Sequence, residues 1–222
     1  MKKNYTYAFL TVFIWATMAA SAKLLLSDIP NLQALSVSSV FSFLFLLLMN
    51  LKTKALREVK KYSVKDYSTM AGLGFLGLFL YNALYYYGLD ELGAQDACIL
   101  NYLWPIMLVI FSAIILKEKL TFIKWIAMLC SFVGIIILSV GSGKAADGNT
   151  YLGMLCCVIA AACYGLFSVL NVKTNYNPNI SMMVMWLTVA ICAAVLGVFT
   201  EVWVPITGVQ WLGMIWLGVV VV

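Results

Sequence analysis

The chain alternates between long apolar runs and short polar segments. Eight apolar runs lie at about residues 5–26, 32–51, 68–89, 94–116, 122–140, 151–171 and 180–199, and from 209 onward. The first seven are each long enough to cross a bilayer as a helix, since about 20 apolar residues cover ~30 Å of hydrocarbon. The pattern therefore predicts an all-α integral membrane protein. The runs are called spans 1 to 8 in chain order.

The first and last runs have features of their own. The basic start and the small triplet Ala20-Ser21-Ala22 also resemble a signal peptide with a cleavage site. Because the run is long enough to cross, we interpret it as span 1. Residues 208–222 number only 15, fewer than the roughly 17–25 that a spanning helix takes. The sequence thus predicts a chain truncated within span 8.

Span 4 contains a helix-breaking motif, Asn101-Tyr102-Leu103-Trp104-Pro105. Pro105 cannot donate a backbone hydrogen bond, so a carbonyl near Asn101 needs another partner and the helix is expected to kink there. In lipid, such a defect persists only where protein or a water-lined cavity satisfies the freed group. The face around the motif is mostly small or polar: Ala94, Cys98, Asn101, Pro105, Leu108 and Ser112. It predicts either a binding or gating surface or a tight helix–helix seam.

Basic residues lie on one side of the predicted membrane. Twelve of the 14 are on the side of the N terminus, and only Lys23 and Lys144 are on the other. By the positive-inside rule, this predicts a cytoplasmic N terminus in a multi-pass protein of the plasma or inner membrane. The lysines mark a membrane face and form no basic stripe on a folded domain, so nucleic acid is not an expected partner.

Composition narrows the chemistry. The chain is 64% hydrophobic and 10% charged, and its mean hydropathy of +0.99 excludes a soluble domain. It has no histidine, no G-x-S-x-G motif, no C-x-x-C motif and no acidic pair at helical spacing inside a span. We therefore expect no enzyme activity, no metal site and no cofactor. The expected partners are the lipid bilayer and a small-molecule solute.

A short motif recurs along the chain. Pro30-Asn31 opens span 2, and Pro178-Asn179 opens span 7, 148 residues later. A repeat of five spans is odd, so the second copy would be inverted in the membrane, as in many secondary transporters. We predict a first repeat over residues 1–140 (spans 1–5) and an incomplete second repeat over residues 151–222. The loop between them, residues 141–150, is rich in Gly, Ser and Ala.

Residues 78–94 (LFLYNALYYYGLDELGA), the motif of span 4, residues 116–121 and residues 125–138 together resemble the EamA-type repeat of the drug/metabolite transporter superfamily. The resemblance implies ten spans in two inverted five-span repeats and movement of small metabolites. The span 4 motif and Ile14-Trp15-Ala16-Thr17-Met18 are similar to the aromatic amino acid exporters within that superfamily.

The resemblance implies a central cavity lined by Trp15, Tyr81, Tyr85, Asn101, Tyr102, Trp104 and Tyr164. Aromatic walls with a few amide or hydroxyl groups suit an amphipathic solute, although each aromatic residue is also compatible with ordinary packing. We interpret Tyr86 and Tyr87 as part of an interfacial aromatic belt.

The sequence thus favours a secondary transporter that exports small metabolites by alternating access, most of all aromatic or large neutral amino acids. Efflux of drugs or nucleosides by the same fold, and a truncated membrane protein without transport, are the alternatives. No carboxylate lies in the middle of a span, which favours a facilitator or an exchanger over proton coupling. The sequence leaves a monomer and a homodimer equally open.

Overall fold

The structure is a computed structural model that describes residues 5–6, 9–14, 16–17, 21, 28–140 and 148–220. Every regular element in those residues is a helix, so the predicted all-α architecture is confirmed. From residue 28 onward the helices are Asn31–Lys52, the 3-10 helix Ala55–Lys61, Val64–Gly74, the π-helix Phe75–Leu80, Tyr81–Leu92, Ala94–Asn101, Trp104–Ile115, Phe122–Val140, Gly148–Val172, Pro178–Thr200, Gly208–Ile215 and the π-helix Trp216–Val220.

The helices coincide with the predicted spans. Spans 2, 4, 6 and 7 are each long and apolar enough to cross a membrane. Span 3 runs without interruption through three helical segments, from Val64 to Leu92. Half of span 1 falls outside the described residues. Its Thr17 hydroxyl accepts a hydrogen bond of 3.1 Å from the indole nitrogen of Trp216 in span 8.

Spans 2 and 7 pack against each other along their length as an antiparallel pair. At one end, Asn50 Nδ2 near the end of span 2 donates to the carbonyl of Asn179 at the start of span 7, at 3.1 Å. At the other end, the backbone N–H of Leu32 donates to Glu201, just after span 7, at 3.0 Å. Small side chains allow this approach, because four serines of span 2 are buried. They are Ser36, Ser38, Ser39 and Ser42.

Span 6 lies against span 3 and against the second half of span 4. Glycines form the closest contacts. A Cβ placed on Gly77 of span 3 would overlap the ring of Phe167 in span 6, and a Cβ on Gly165 of span 6 would lie 2.8 Å from the backbone nitrogen of Leu108 in span 4. Only glycine permits these approaches. Span 6 is thereby fixed between the two spans that carry the aromatic residues.

Spans 3 and 8 have the same order of local structures, a capping box followed by an α-helix and a π-helical segment. Each starts with a capping box, Ser63 with Asp66 in span 3 and Thr207 with Gln210 in span 8. Each then contains a π-helical segment with an aromatic–Leu–Gly sequence. Span 3 packs on span 7, whereas span 8 packs on span 2. This exchange of partners is what two inverted copies of one unit would produce.

Many large apolar side chains remain on the outside of the bundle. Ile114 of span 4, Ile137 of span 5 and Phe199 of span 7 are examples. In water such a surface would be unfavourable, whereas in a bilayer these side chains face hydrocarbon as apolar as themselves. The exposed apolar surface is therefore consistent with a membrane-embedded bundle.

We expect Gly77→Ala to destabilise the bundle by about 1–3 kcal/mol, the usual cost of overpacking. The added methyl group would overlap Cβ and Cγ of Phe167, atoms close to the backbone that cannot swing aside. The effect is measured by heating the protein in detergent and following the loss of its monodisperse size-exclusion peak.

Gly72→Ala is the matched control. Gly72 lies in the same span, and a Cβ there meets no atom within 4 Å. Because alanine favours the helix by about 1 kcal/mol over glycine, this variant should unfold at the same temperature as the parent protein or higher. Equal destabilisation by both substitutions would contradict the packing described for span 6.

Candidate functional site

The aromatic residues singled out in the sequence lie where spans 3, 4 and 6 meet. Tyr81 and Tyr85 are one helical turn apart in the second half of span 3, and both are buried. Trp104 begins the second half of span 4, and Tyr164 lies near the middle of span 6. The glycine contacts of span 6 hold these three segments at close range.

The rings contact one another directly. Tyr164 is at the centre of the group, with its ring centroid 4.9 Å from that of Tyr81 and 5.3 Å from that of Trp104. The Trp104 and Tyr164 rings meet nearly edge to face, at 86°. Tyr85 stacks parallel to Tyr81, with centroids 5.9 Å apart. We call Tyr81, Tyr85, Trp104 and Tyr164 the aromatic cluster.

Span 4 is interrupted beside this cluster. Its first half ends at Asn101, its second half begins at Trp104, and Tyr102 and Leu103 form a turn between them. The interruption lies immediately before Pro105, which has no N–H to offer to the carbonyl one turn earlier. It places the Asn101 side chain at the edge of the aromatic cluster.

Among the described residues, only one of the two polar atoms of the Asn101 side chain has a hydrogen-bond partner. Its Nδ2 donates to the Tyr81 hydroxyl at 3.1 Å. Its Oδ1 is buried and has no hydrogen-bond partner within the described part of the chain. A buried amide oxygen without a partner costs about 1–3 kcal/mol, so such groups usually have a further partner, for example water or a ligand. The arrangement presents one buried acceptor beside a set of aromatic faces.

The other predicted site residues are placed differently. Tyr102 is 60% exposed, and no ring contact joins it to the aromatic cluster. It lies one position beyond Asn101, which turns its side chain by about 100° around the helix. Trp15 lies outside the described residues. The structure therefore brings together Tyr81, Tyr85, Asn101, Trp104 and Tyr164.

The interpretation of Tyr86 as part of an interfacial belt is wrong. Its side chain is only 3% exposed and belongs to the hydrophobic core. Tyr86 follows Tyr85 directly, but the bundle covers both sides of span 3 at this level, so neither residue reaches the surface. Adjacent helical positions differ by about 100° around the axis, and here neighbouring helices cover both of these directions.

One contributing residue was missed. Phe167 packs on Tyr164, with ring centroids 5.8 Å apart, and also fills the space above Gly77. Its spacing three residues after Tyr164 places both on one side of span 6, and that spacing was a usable signal. Phe167 forms the inner wall behind Tyr164.

The membrane-embedded part of the site is electrically neutral. No Asp, Glu, Lys or Arg occurs between Ala97 and Leu116, and the span 3 acids, Asp90 and Glu91, lie at its end. Among the described residues no group of three or more His, Cys, Asp or Glu could hold a metal ion. Aromatic stacking and amide hydrogen bonding are therefore the interactions that this site can offer a solute.

A small recess of about 100 Å³ lies elsewhere, at the junction of spans 6 and 7. Its lining residues are Asn171, Thr174, Tyr176, Pro178, Ser181 and Met182. The Ser181 hydroxyl is buried there and has no partner within the described residues. The recess has both polar and apolar lining, whereas the aromatic cluster is mostly apolar.

Comparison with known proteins places these features in a family. The model of the EamA-like transporter family matches residues 2–140. The uncharacterized transporter YoaV of Bacillus subtilis (strain 168) is 25% identical over 203 residues, 89% of this chain and 66% of YoaV. An uncharacterized transporter of Archaeoglobus fulgidus is 27% identical over 180 residues, 80% of this chain and 61% of its own.

Another relative carries a functional name. The aromatic amino acid exporter YddG of Ancylobacter novellus is 26% identical over 148 residues, which are 66% of this chain and 52% of YddG. These three alignments thus span between about half and two thirds of the relatives' own lengths.

A solved crystal structure has the same fold. It superposes with a TM-score of 0.74 over 95% of this chain and 72% of its own, at 22% sequence identity. The shared fold includes residues outside the range 2–140 that the family model matches. Because that model matches well over half of the sequence, the chain belongs to the EamA-like transporter family.

Proposed function

We propose that the protein carries an aromatic or large neutral amino acid across a cell membrane by alternating access, with the N terminus in the cytoplasm and export as the direction. The observation that carries the proposal is the aromatic cluster at the interruption of span 4, with the unpartnered Asn101 oxygen beside it. The relative named as an aromatic amino acid exporter supports the choice of solute.

The chemistry of the cluster fits such a solute. Stacked and edge-to-face rings favour a flat apolar side chain by about 0.5–1.5 kcal/mol per ring pair beyond area burial. The Asn101 oxygen can accept a hydrogen bond from the α-ammonium group, and the Tyr81 hydroxyl keeps its own proton to donate to a carboxylate. In the present conformation the rings fill the space between spans 3, 4 and 6, so binding requires them to separate.

The same rings favour a second candidate solute. A flat organic cation would be attracted to the faces of Trp104 and Tyr164 through cation–π contacts. The sequence-based alternative of drug or nucleoside efflux is therefore tested together with the amino acids.

Counterflow in proteoliposomes tests the solute. Vesicles preloaded with phenylalanine, leucine, a nucleoside or a flat cationic dye are given the labelled solute outside. We expect saturable uptake of labelled phenylalanine and a loss of about tenfold for 3-phenylpropionate, which lacks the ammonium group that Asn101 would bind. Asn101→Ala should remove the preference for phenylalanine over 3-phenylpropionate. If only the dye or the nucleoside exchanges, efflux of that solute replaces amino acid export as the proposed function.

The hydroxyl of Tyr81 can be tested by a conservative change. Tyr81→Phe keeps the ring but removes the acceptor of the Asn101 amide, so the amide is free to rotate. We expect the apparent affinity for phenylalanine to weaken by about 3- to 10-fold, the equivalent of one neutral hydrogen bond. Tyr86→Phe is the matched control, since Tyr86 is buried in the same span outside the cluster. Equal effects of the two variants would argue against a role for Asn101 and Tyr81 in binding.

The neutral site predicts how exchange depends on pH. No titratable carboxylate lies between Ala97 and Leu116, and unperturbed carboxyl groups titrate near pH 4. We therefore expect the counterflow rate to change less than about twofold between about pH 6 and 8. Uphill accumulation of phenylalanine driven by an imposed proton gradient would contradict the proposal of a facilitator or exchanger.

A further inference from the structure

The two ends of the antiparallel pair of spans 2 and 7 are each held by a carboxylate from a connector. At one end, Glu201 follows span 7 and accepts backbone N–H bonds from Leu32 at 3.0 and 3.1 Å and from Gln33 at 3.1 Å. Gln33 and Val204 add two bonds, from Gln33 Nε2 to the Val204 carbonyl at 2.7 Å and from the Val204 N–H to Gln33 Oε1 at 3.0 Å. We call these four residues the Glu201 latch.

At the opposite end, Glu58 lies in the connector that follows span 2. Its Oε2 accepts a bond of 2.9 Å from Asn177 Nδ2. The Asn177 N–H donates to the Tyr62 hydroxyl at 2.9 Å, and the Tyr176 hydroxyl donates to Asp66 Oδ1 at 3.1 Å. The rings of Tyr62 and Tyr176 meet edge to face, 5.6 Å apart. We call these five residues the Glu58 latch.

The two latches are equivalent in the topology of the chain. In each, the connector after one span of the pair binds the beginning of the other span. Asn177 is the N-cap of span 7, and Leu32 and Gln33 lie in the first turn of span 2. The first N–H groups of a helix have no partner within the helix. Glu201 thus satisfies backbone N–H groups at the start of span 2 directly, whereas Glu58 holds the side chain of Asn177, whose Oδ1 accepts the Asn179 N–H at the start of span 7.

Both latches use a carboxylate as the hydrogen-bond acceptor. Carboxylate acceptors form shorter and stronger hydrogen bonds than neutral ones. The Asn177 hydrogen bond and then the Lys61 charge lower the pKa of Glu58 below its ordinary value of 4.5. The Glu58 latch therefore keeps its charge at neutral pH and would be lost only as the pH falls through that lowered pKa. The recess, which is lined in part by Tyr176 and Ser181, lies beside this latch.

We propose that the Glu58 and Glu201 latches open in alternation, each closing one membrane face while the other face is open. The proposal rests on the alternating access proposed above. Glu58 and Glu201 are then positioning residues, because they set which face is open and make no contact with the aromatic cluster. Both latches are closed in this structure.

Alternation has a consequence that simple helix capping does not have. If only one latch opens at a time, weakening one should increase the population in which the other is closed. Loss of the carboxylate at one end must then protect the opposite end of the bundle. A cap with a local role only would loosen its own end and leave the other unchanged.

Hydrogen–deuterium exchange of the reconstituted protein measures this effect without any solute. For Glu201→Gln we expect faster exchange in residues 31–36 and slower exchange in residues 177–182. The increase in residues 31–36 should be about tenfold, which corresponds to the loss of one charge-assisted hydrogen bond. For Glu58→Gln we expect the reverse. Glu118→Gln is the matched control, since Glu118 is an exposed carboxylate at the end of span 4, and it should change neither region.

Local loosening alone in both variants, or no change in either, would overturn the alternation.

Cross-linking gives a second, independent test in a protein whose six native cysteines are replaced. A short bifunctional maleimide joining Gln33→Cys to Val204→Cys, or Glu58→Cys to Asn177→Cys, should stop phenylalanine counterflow. Undiminished counterflow with either pair joined would also overturn the proposal. If no tested solute exchanges in the parent protein, the proposed function fails, while the exchange measurement still decides whether the latches alternate.

Discussion

The close contact of span 6 with spans 3 and 4 is the constraint on which the candidate site depends. It is made by glycines, Gly77 against Phe167 and Gly165 against the backbone of span 4. A side chain at either position would push the helices apart and withdraw Tyr164 from between Tyr81 and Trp104. In a membrane, where helix association relies on packing and not on expulsion of water, such small-residue contacts decide which spans become neighbours.

The interruption of span 4 is the second constraint. Hydrocarbon tolerates irregular backbone only where protein or water covers it, and here spans 3 and 6 cover one side of the interruption, while Tyr102 is exposed on the other. The same feature leaves Asn101 with one bonded and one unpartnered amide atom. A structural defect and an unpartnered polar atom thus occupy one place in the bundle, as in transporters whose broken helices present polar groups at mid-membrane.

Much of the fold could be predicted from the sequence because lipid imposes strong requirements. Helix length and apolar composition gave the spans, and Pro105 gave the position of the interruption. Periodicity shows which residues share a face but not which face meets a neighbour. Tyr102 and Tyr86 show the difference, since one is exposed and the other is buried in the core.

Contacts between distant parts of the chain had no sequence signal. Glu201 binds Leu32, 169 positions away, and nothing in the local sequence of either residue indicates the other. The π-helical segment of span 3 packs against span 6, and that of span 8 packs against span 2; these partners too lie far away in the sequence. The Pro-Asn repetition drew attention to spans 2 and 7, which pack against each other, and the two repeats with their boundaries stay a prediction.

The central claim is that the solute binds in the aromatic cluster, and photo-cross-linking tests it most directly. The reconstituted protein is irradiated with an azido derivative of phenylalanine, with and without excess phenylalanine, and the modified peptides are identified by mass spectrometry. We expect adducts at residues 81–85, 101–104 or 164 that excess phenylalanine suppresses. Competed adducts confined to the recess at residues 171–182, with none in the aromatic cluster, would contradict it.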